Sequence, residues 1–145
     1  MSSPGIRSMR VRDAGAVASL ATQLGYPSSE AQVAERIPGV IGREDAAALV
    51  AEDSGMVVGW IHVELRRTLV GDREAQIMAL VVDERCRGRG IGKALTAEAE
   101  RWARDRGAAT VRVGSRTTRE GAHRFYAREG YGLVKTSYWF EKELA

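Results

Sequence analysis

The chain has 145 residues, 44% hydrophobic and 28% charged, a balance that suits one globular domain with its own core. No apolar run approaches the roughly 20 residues of a membrane span. The single cysteine, Cys86, excludes an intramolecular disulfide framework, and no apolar leader opens the chain, so a cytoplasmic protein is expected. The net charge of +3 rests mainly on arginine, yet the basic stretch Arg101 to Arg119 holds only one aromatic, Trp102. A nucleic-acid partner is therefore not expected, nor is a membrane.

Ile6 to Val11 is a short apolar stretch that predicts a first strand. Asp13 stands as a helix N-cap, and Val17, Leu20, Ala21 and Leu24 recur at helical spacing until Gly25. After the Tyr26-Pro27 turn, Ser29 and Gln32 form a capping-box pattern that opens a second helix, expected to end near Pro38-Gly39. Ala47 to Glu52 and Met56 to Leu65 read as strands joined by the Asp53-Ser54-Gly55 turn. A polar stretch, Arg66 to Arg73, leads into Ala75 to Val82, apolar enough to be a central strand covered on both faces. These three strands predict an antiparallel meander.

Ile91, Ala94, Leu95, Ala99, Trp102 and Ala103 then line one face of a helix stopped by Gly107. The β-branched run Thr110 to Val113 follows it, so strand, helix and strand predict a parallel pair with a right-handed crossover. Ala122, Phe125, Tyr126 and Glu129 fit a last short helix ended by Gly130, and Val134 to Leu144 predicts a final strand.

Between the central strand and the long helix lies Asp83-Glu84-Arg85-Cys86-Arg87-Gly88-Arg89-Gly90-Ile91-Gly92-Lys93. Glycines at every second position let backbone N–H groups converge, and a helix start adds unpaired N–H groups and a partial positive charge. Such a loop suits phosphate, and a pyrophosphate best of all. A Walker loop would need glycine at Arg87 and Ser or Thr at Ala94, and a dinucleotide fingerprint would need glycine at Lys93. What the residues fit is Arg-x-x-Gly-x-Gly, met by Arg87, Gly90 and Gly92.

In this pattern the sequence resembles the GNAT superfamily of acetyl-CoA-dependent N-acetyltransferases. A second local match, Ala122-x-x-Phe125-Tyr126-x-x-x-Gly130-Tyr131, resembles that superfamily's later motif, and the element order β-α-α-β-β-β-α-β-α-β extends the likeness along nearly the whole chain. The resemblance implies an α/β fold of one domain, residues 1–145, with a mixed central sheet flanked by helices. It implies acetyl transfer from acetyl-CoA, without a metal, to a primary amine by direct attack in a ternary complex. A non-catalytic acyl-CoA-binding regulatory domain is the alternative. Pairing through the last strand is common in the superfamily, so the resemblance admits a homodimer.

The resemblance also distributes roles. A bulge would splay the strand before the glycine loop away from the next parallel strand. In that opening Leu80, Val81 and Val82 would pair through their backbone with pantetheine, and a backbone N–H near Leu80 would polarise the thioester carbonyl. Arg87, Gly88, Arg89, Gly90, Ile91, Gly92 and Lys93 would hold the diphosphate. Tyr126 would protonate the leaving thiolate, Phe125 would pack against the coenzyme, and Ser115 and Arg119 would be further contacts, Arg119 standing where relatives often have asparagine. For the base, many relatives place a glutamate on the strand before the glycine loop. Here Gln76 lies within that strand and Glu74 at its start, so Glu74, His62, Glu64 or water stay open. Two histidines, His62 and His123, with Cys86 make no metal site of recognisable spacing. The acceptor would be framed by residues 24–29, by residues 66–73 and by the start of the last strand, with Tyr26 and Tyr138 as walls.

Overall fold

The computed structural model describes residues 4–145, which fall into two units, one running to Gly114 and one from Ser115 to Ala145. In the first unit the elements are β1 (Gly5–Ser8), α1 (Ala14–Leu24), α2 (Glu30–Ile41), β2 (Ala46–Asp53), β3 (Met56–Arg66), β4 (Glu74–Val82), α3 (Ile91–Asp105) and β5 (Thr110–Val113). The sheet order is β1-β2-β3-β4-β5, antiparallel up to β4, with β5 parallel to β4. The helix α3 between them supplies the crossover that a parallel pair requires.

Strand alternation sends side chains to two faces. On one face Ala48, Val50, Trp60 and Val81 form a core with Met9, with Val17, Leu20 and Ala21 of α1, and with Val33 and Ile37 of α2. On the other, α3 lays its buried residues Ile91, Leu95, Ala99 and Ala103 against the sheet. Gly59 permits that approach. A Cβ there would meet the Val81 carbonyl oxygen at 3.0 Å, a Leu95 methyl at 3.2 Å and an Ile91 methyl at 3.3 Å.

Three expectations about the first strand and the first two helices are corrected. The first strand stops at Ser8, because residues 11–13 turn into a short 3₁₀ helix. Asp13 does precede α1, but its carboxylate turns back to the Arg10 N–H at 2.8 Å and to Arg7 at 2.8 and 2.9 Å instead of capping the helix. Arg7 also holds Glu52 at 2.6 Å, so this cluster ties the start of α1 to β1 and β2. The second helix opens with the expected Ser29–Gln32 box, yet runs through Pro38 to Ile41. Proline removes one helical donor, but the Gly42 N–H still reaches the Pro38 carbonyl at 3.1 Å, and Val40 packs on the core.

The second unit contains α4 (Glu120–Arg128). Gly130 adopts a left-handed φ of 92°, and the Tyr131 N–H returns to the Tyr126 carbonyl at 2.9 Å, closing the helix as the glycine promised. The strand expected over 134–144 is not formed within this unit. A strand needs a hydrogen-bonding neighbour, and residues 115–145 offer none, so Leu133, Tyr138, Trp139 and Phe140 stand exposed there.

Substituting Gly59→Val is expected to destabilise the first unit by about 1–3 kcal/mol, since the contacted carbonyl belongs to β4 itself. Thermal unfolding checks this; an unchanged midpoint would show that α3 can shift to make room.

Candidate active site

The β3–β4 ladder pairs His62 with Ala79 and then Val63 with Ile77, leaving Met78 as an extra residue. This bulge reverses the phase of β4, so that Ile77 packs on the α3 face while Ala79 and Val81 join the α1/α2 core. The resemblance implies such a bulge, but the residues alone do not mark its place, because an apolar run covered on both faces shows no alternation to interrupt. The parallel ladder to β5 also ends here, at Ile77–Val113.

Beyond the bulge, residues 79–82 therefore have β3 on one side and no strand on the other within this unit. The Asp83 N–H goes to the Val58 carbonyl at 2.8 Å, on the β3 side. Alternation turns Val81 the same way, and turns the N–H and C=O groups of Leu80 and Val82 toward the open side. Val81 is buried, whereas Leu80 and Val82 are half-buried. The open side thus offers backbone donors and acceptors to an amide-bearing ligand.

The glycine loop follows without a break. Asp83, buried, accepts the Arg85 N–H at 3.1 Å and pairs with the Arg85 guanidinium at 3.1 Å, which holds the carboxyl below its usual range. Gly88 and Gly90 take left-handed φ values of 80° and 79°, where a side chain would be strained. Gly90 occupies the N-cap of α3, and no side chain caps that helix. Its first intrahelical bond runs from the Ala94 N–H to the Gly90 carbonyl at 3.0 Å, so the N–H groups of Ile91, Gly92 and Lys93 precede the ladder.

The four basic residues of the loop separate into two kinds. Arg85 is bound to Asp83, and Arg89 reaches Asp53 on the β2–β3 turn at 2.9 Å. Arg87 and Lys93 are exposed, and no ion pair among the described residues involves them. They are the charges left for an incoming anion. Sequence reasoning missed Asp53, Asp83 and Gln23, whose amide oxygen accepts the Glu84 N–H at 3.0 Å. Nothing in the chain pattern marks Asp53 or Gln23, whose partners lie far along the chain, whereas Asp83 is only two residues from Arg85.

The base candidates fall at different distances from the bulge. His62 is directly opposite Ala79, half-buried, with Nε2 2.9 Å from Glu64 Oε2. The contact is close but not aligned as an N–H···O bond, leaving Nε2 without a hydrogen-bond partner. Burial lowers the His62 pKa, and the neighbouring Glu64 charge offsets this only in part. Glu64 is shared with Arg43 at 3.1 Å. Glu74 pairs with Arg112 at 3.4 Å and stands four residues before Met78, about 13 Å along the strand.

In the second unit, Phe125 and Tyr126 meet edge to face at 5.3 Å, and Tyr126 meets Tyr131 at 5.7 Å. Burial raises the Tyr126 pKa, against a smaller opposite effect of Arg119, so the phenol keeps its proton at neutral pH. Arg119 is the N-cap residue of α4, and the Ser115 hydroxyl faces the Arg116 carbonyl at 3.5 Å. Among the described residues no group of three His, Cys, Asp or Glu could hold a metal, and no helix is long and apolar enough to cross a membrane.

Residues 16–131 match the acetyltransferase (GNAT) family, and the chain belongs to it. It is therefore an N-acetyltransferase by family, with acetyl-CoA as co-substrate. It is 28% identical to aminoglycoside N(6')-acetyltransferase type 1 of Stenotrophomonas maltophilia, over 99% of this chain and 95% of that protein. It is 34% identical to mouse N-acetyltransferase 8B over 63% of this chain, but spans only 39% of that protein. Among solved structures, aminoglycoside N-acetyltransferase AAC(6')-Iy in complex with CoA shares the fold with a TM-score of 0.89, at 17% identity over 99% of this chain and 98% of that one.

Arg87→Gln should raise the dissociation constant of coenzyme A by about tenfold, as expected for one charge-assisted contact. Titration calorimetry at two salt concentrations reads it, with the wild-type affinity falling more steeply as salt increases. Equal affinities would mean that Arg87 faces solvent in the complex.

Proposed function

We propose that this chain moves the acetyl group of acetyl-CoA onto a primary amine by direct attack, acting as one domain that includes both units. The observation that carries the reading is the unpaired half of β4 running straight into an uncapped helix start. Pantetheine amides pair with Leu80 and Val82, and the diphosphate sits on the N–H groups of residues 91–93 between Arg87 and Lys93. Gly88, Gly90 and Gly92 let it approach, while Arg89 shapes the loop through Asp53.

The amine nitrogen attacks the thioester carbonyl carbon, whose oxygen is stabilised by a backbone N–H on the open side of β4. His62 takes the amine proton, a role supported by its place opposite the bulge and its lowered pKa. Glu74, ion-paired and farther along the strand, is the weaker base. The carbon–sulfur bond then breaks, and Tyr126 protonates the departing thiolate. Phe125, Ser115 and Arg119 are assigned to coenzyme contacts on the family pattern.

A small-molecule amine is the favoured acceptor, supported by the near full-length likeness to the Stenotrophomonas enzyme. A cytoplasmic setting accords with the lone Cys86, and a homodimer with the apolar side chains left uncovered within residues 133–144.

Thiol release from acetyl-CoA across a panel of aminoglycosides, monoamines and peptides, with products weighed by mass spectrometry, should reveal an acetylated amine. Coenzyme binding without release on any amine would favour the regulatory domain instead. With an acceptor in hand, Tyr126→Phe is expected to lower kcat by about 10²-fold or more while keeping coenzyme affinity. His62→Gln should remove the acid limb of the kcat/KM profile. In wild type that limb lies below the ordinary histidine pKa of 6.5, because burial favours the neutral ring. An acid limb that survives the substitution would assign the base elsewhere.

A further inference from the structure

The start of the glycine loop is clasped by a residue from a different part of the fold. Gln23 lies in the last turn of α1, and its Oε1 accepts the Glu84 N–H at 3.0 Å across 61 residues of chain. Its amide also lies near enough to Asp83 to help hold that carboxyl in its charged form. Asp83 in turn is fixed by its own N–H to Val58 and by Arg85, so Gln23 closes a ring of contacts around the first loop residues. At the far side of the loop, Arg89 is anchored to Asp53.

We infer that Gln23 is a positioning residue for the coenzyme: it holds the loop's entry so that the N–H groups of residues 91–93 and the Arg87 side chain are preset for the diphosphate. The inference rests on the proposed coenzyme site. A loop already held in its bound shape avoids an ordering penalty on binding. Loss of the clasp therefore shows in affinity for ligands that carry the diphosphate, and for those alone. Gln23 precedes Gly25 by two residues, so the clasp also joins the coenzyme loop to the α1–α2 connection.

The experiment titrates wild type, Gln23→Ala and Gln23→Met with coenzyme A and with pantetheine, which lacks the diphosphate, and records melting temperatures. Methionine keeps the length and volume without the amide, and stands in should alanine impair folding. Both variants should bind coenzyme A roughly three- to tenfold more weakly, the size of one net hydrogen bond. Pantetheine affinity should be unchanged. Unchanged coenzyme A affinity in the variants, beside a wild type that binds, would overturn the clasp alone. Equal losses for both ligands would overturn it too, reducing Gln23 to general support of the fold. A wild type that fails to bind coenzyme A would remove the coenzyme site, and this inference with it.

Discussion

Strand β4 has two neighbours along its first half and one along its second, and the rest of the first unit is arranged around that change. Glu74 to Ile77 lie between β3 and β5; past Met78 the β5 side is open. Backbone groups left unpaired in a folded interior need partners. A thioester arm that carries amides would meet this need in the proposed complex, whereas an ordinary strand would close the sheet. The bulge both opens the sheet and turns Ala79 and Val81 onto the α1/α2 core, so the opening is held by packing.

The charges around the loop follow the same economy. A cluster of four basic residues would repel itself, yet Asp83 and Asp53 neutralise Arg85 and Arg89 and use them as struts. Arg87, Lys93 and the uncapped start of α3 have no such ion pair among the described residues, which leaves them for the proposed anion. Shape and charge are thus supplied by different residues of one short segment.

Much of this was legible in the chain. Helical spacing gave α1, α3 and α4, the Ser29–Gln32 box marked the start of α2, and the glycines located the loop, because each is a local device with a local signature. The bulge before the glycine loop was implied by the family resemblance, but its place at Met78 left no trace in the residues, since apolar side chains on both faces hide a change of phase. The long-range partners were equally invisible: Asp53 meets Arg89, and Gln23 meets the Glu84 N–H, only through the fold. Pro38 misled in the opposite direction, because core packing of Ile37 and Val40 carries α2 one turn beyond it. The last strand was read from residues whose hydrogen-bonding partners no local pattern can name.

The central claim is that amine and acetyl-CoA occupy the enzyme together and react without an acetylated protein intermediate. Initial velocities measured against both substrates test it most directly. Double-reciprocal lines should intersect, and mass spectrometry of the protein incubated with acetyl-CoA alone should show no added acetyl group. Parallel lines, with an acetyl-protein that passes its acetyl group to the amine, would contradict the account.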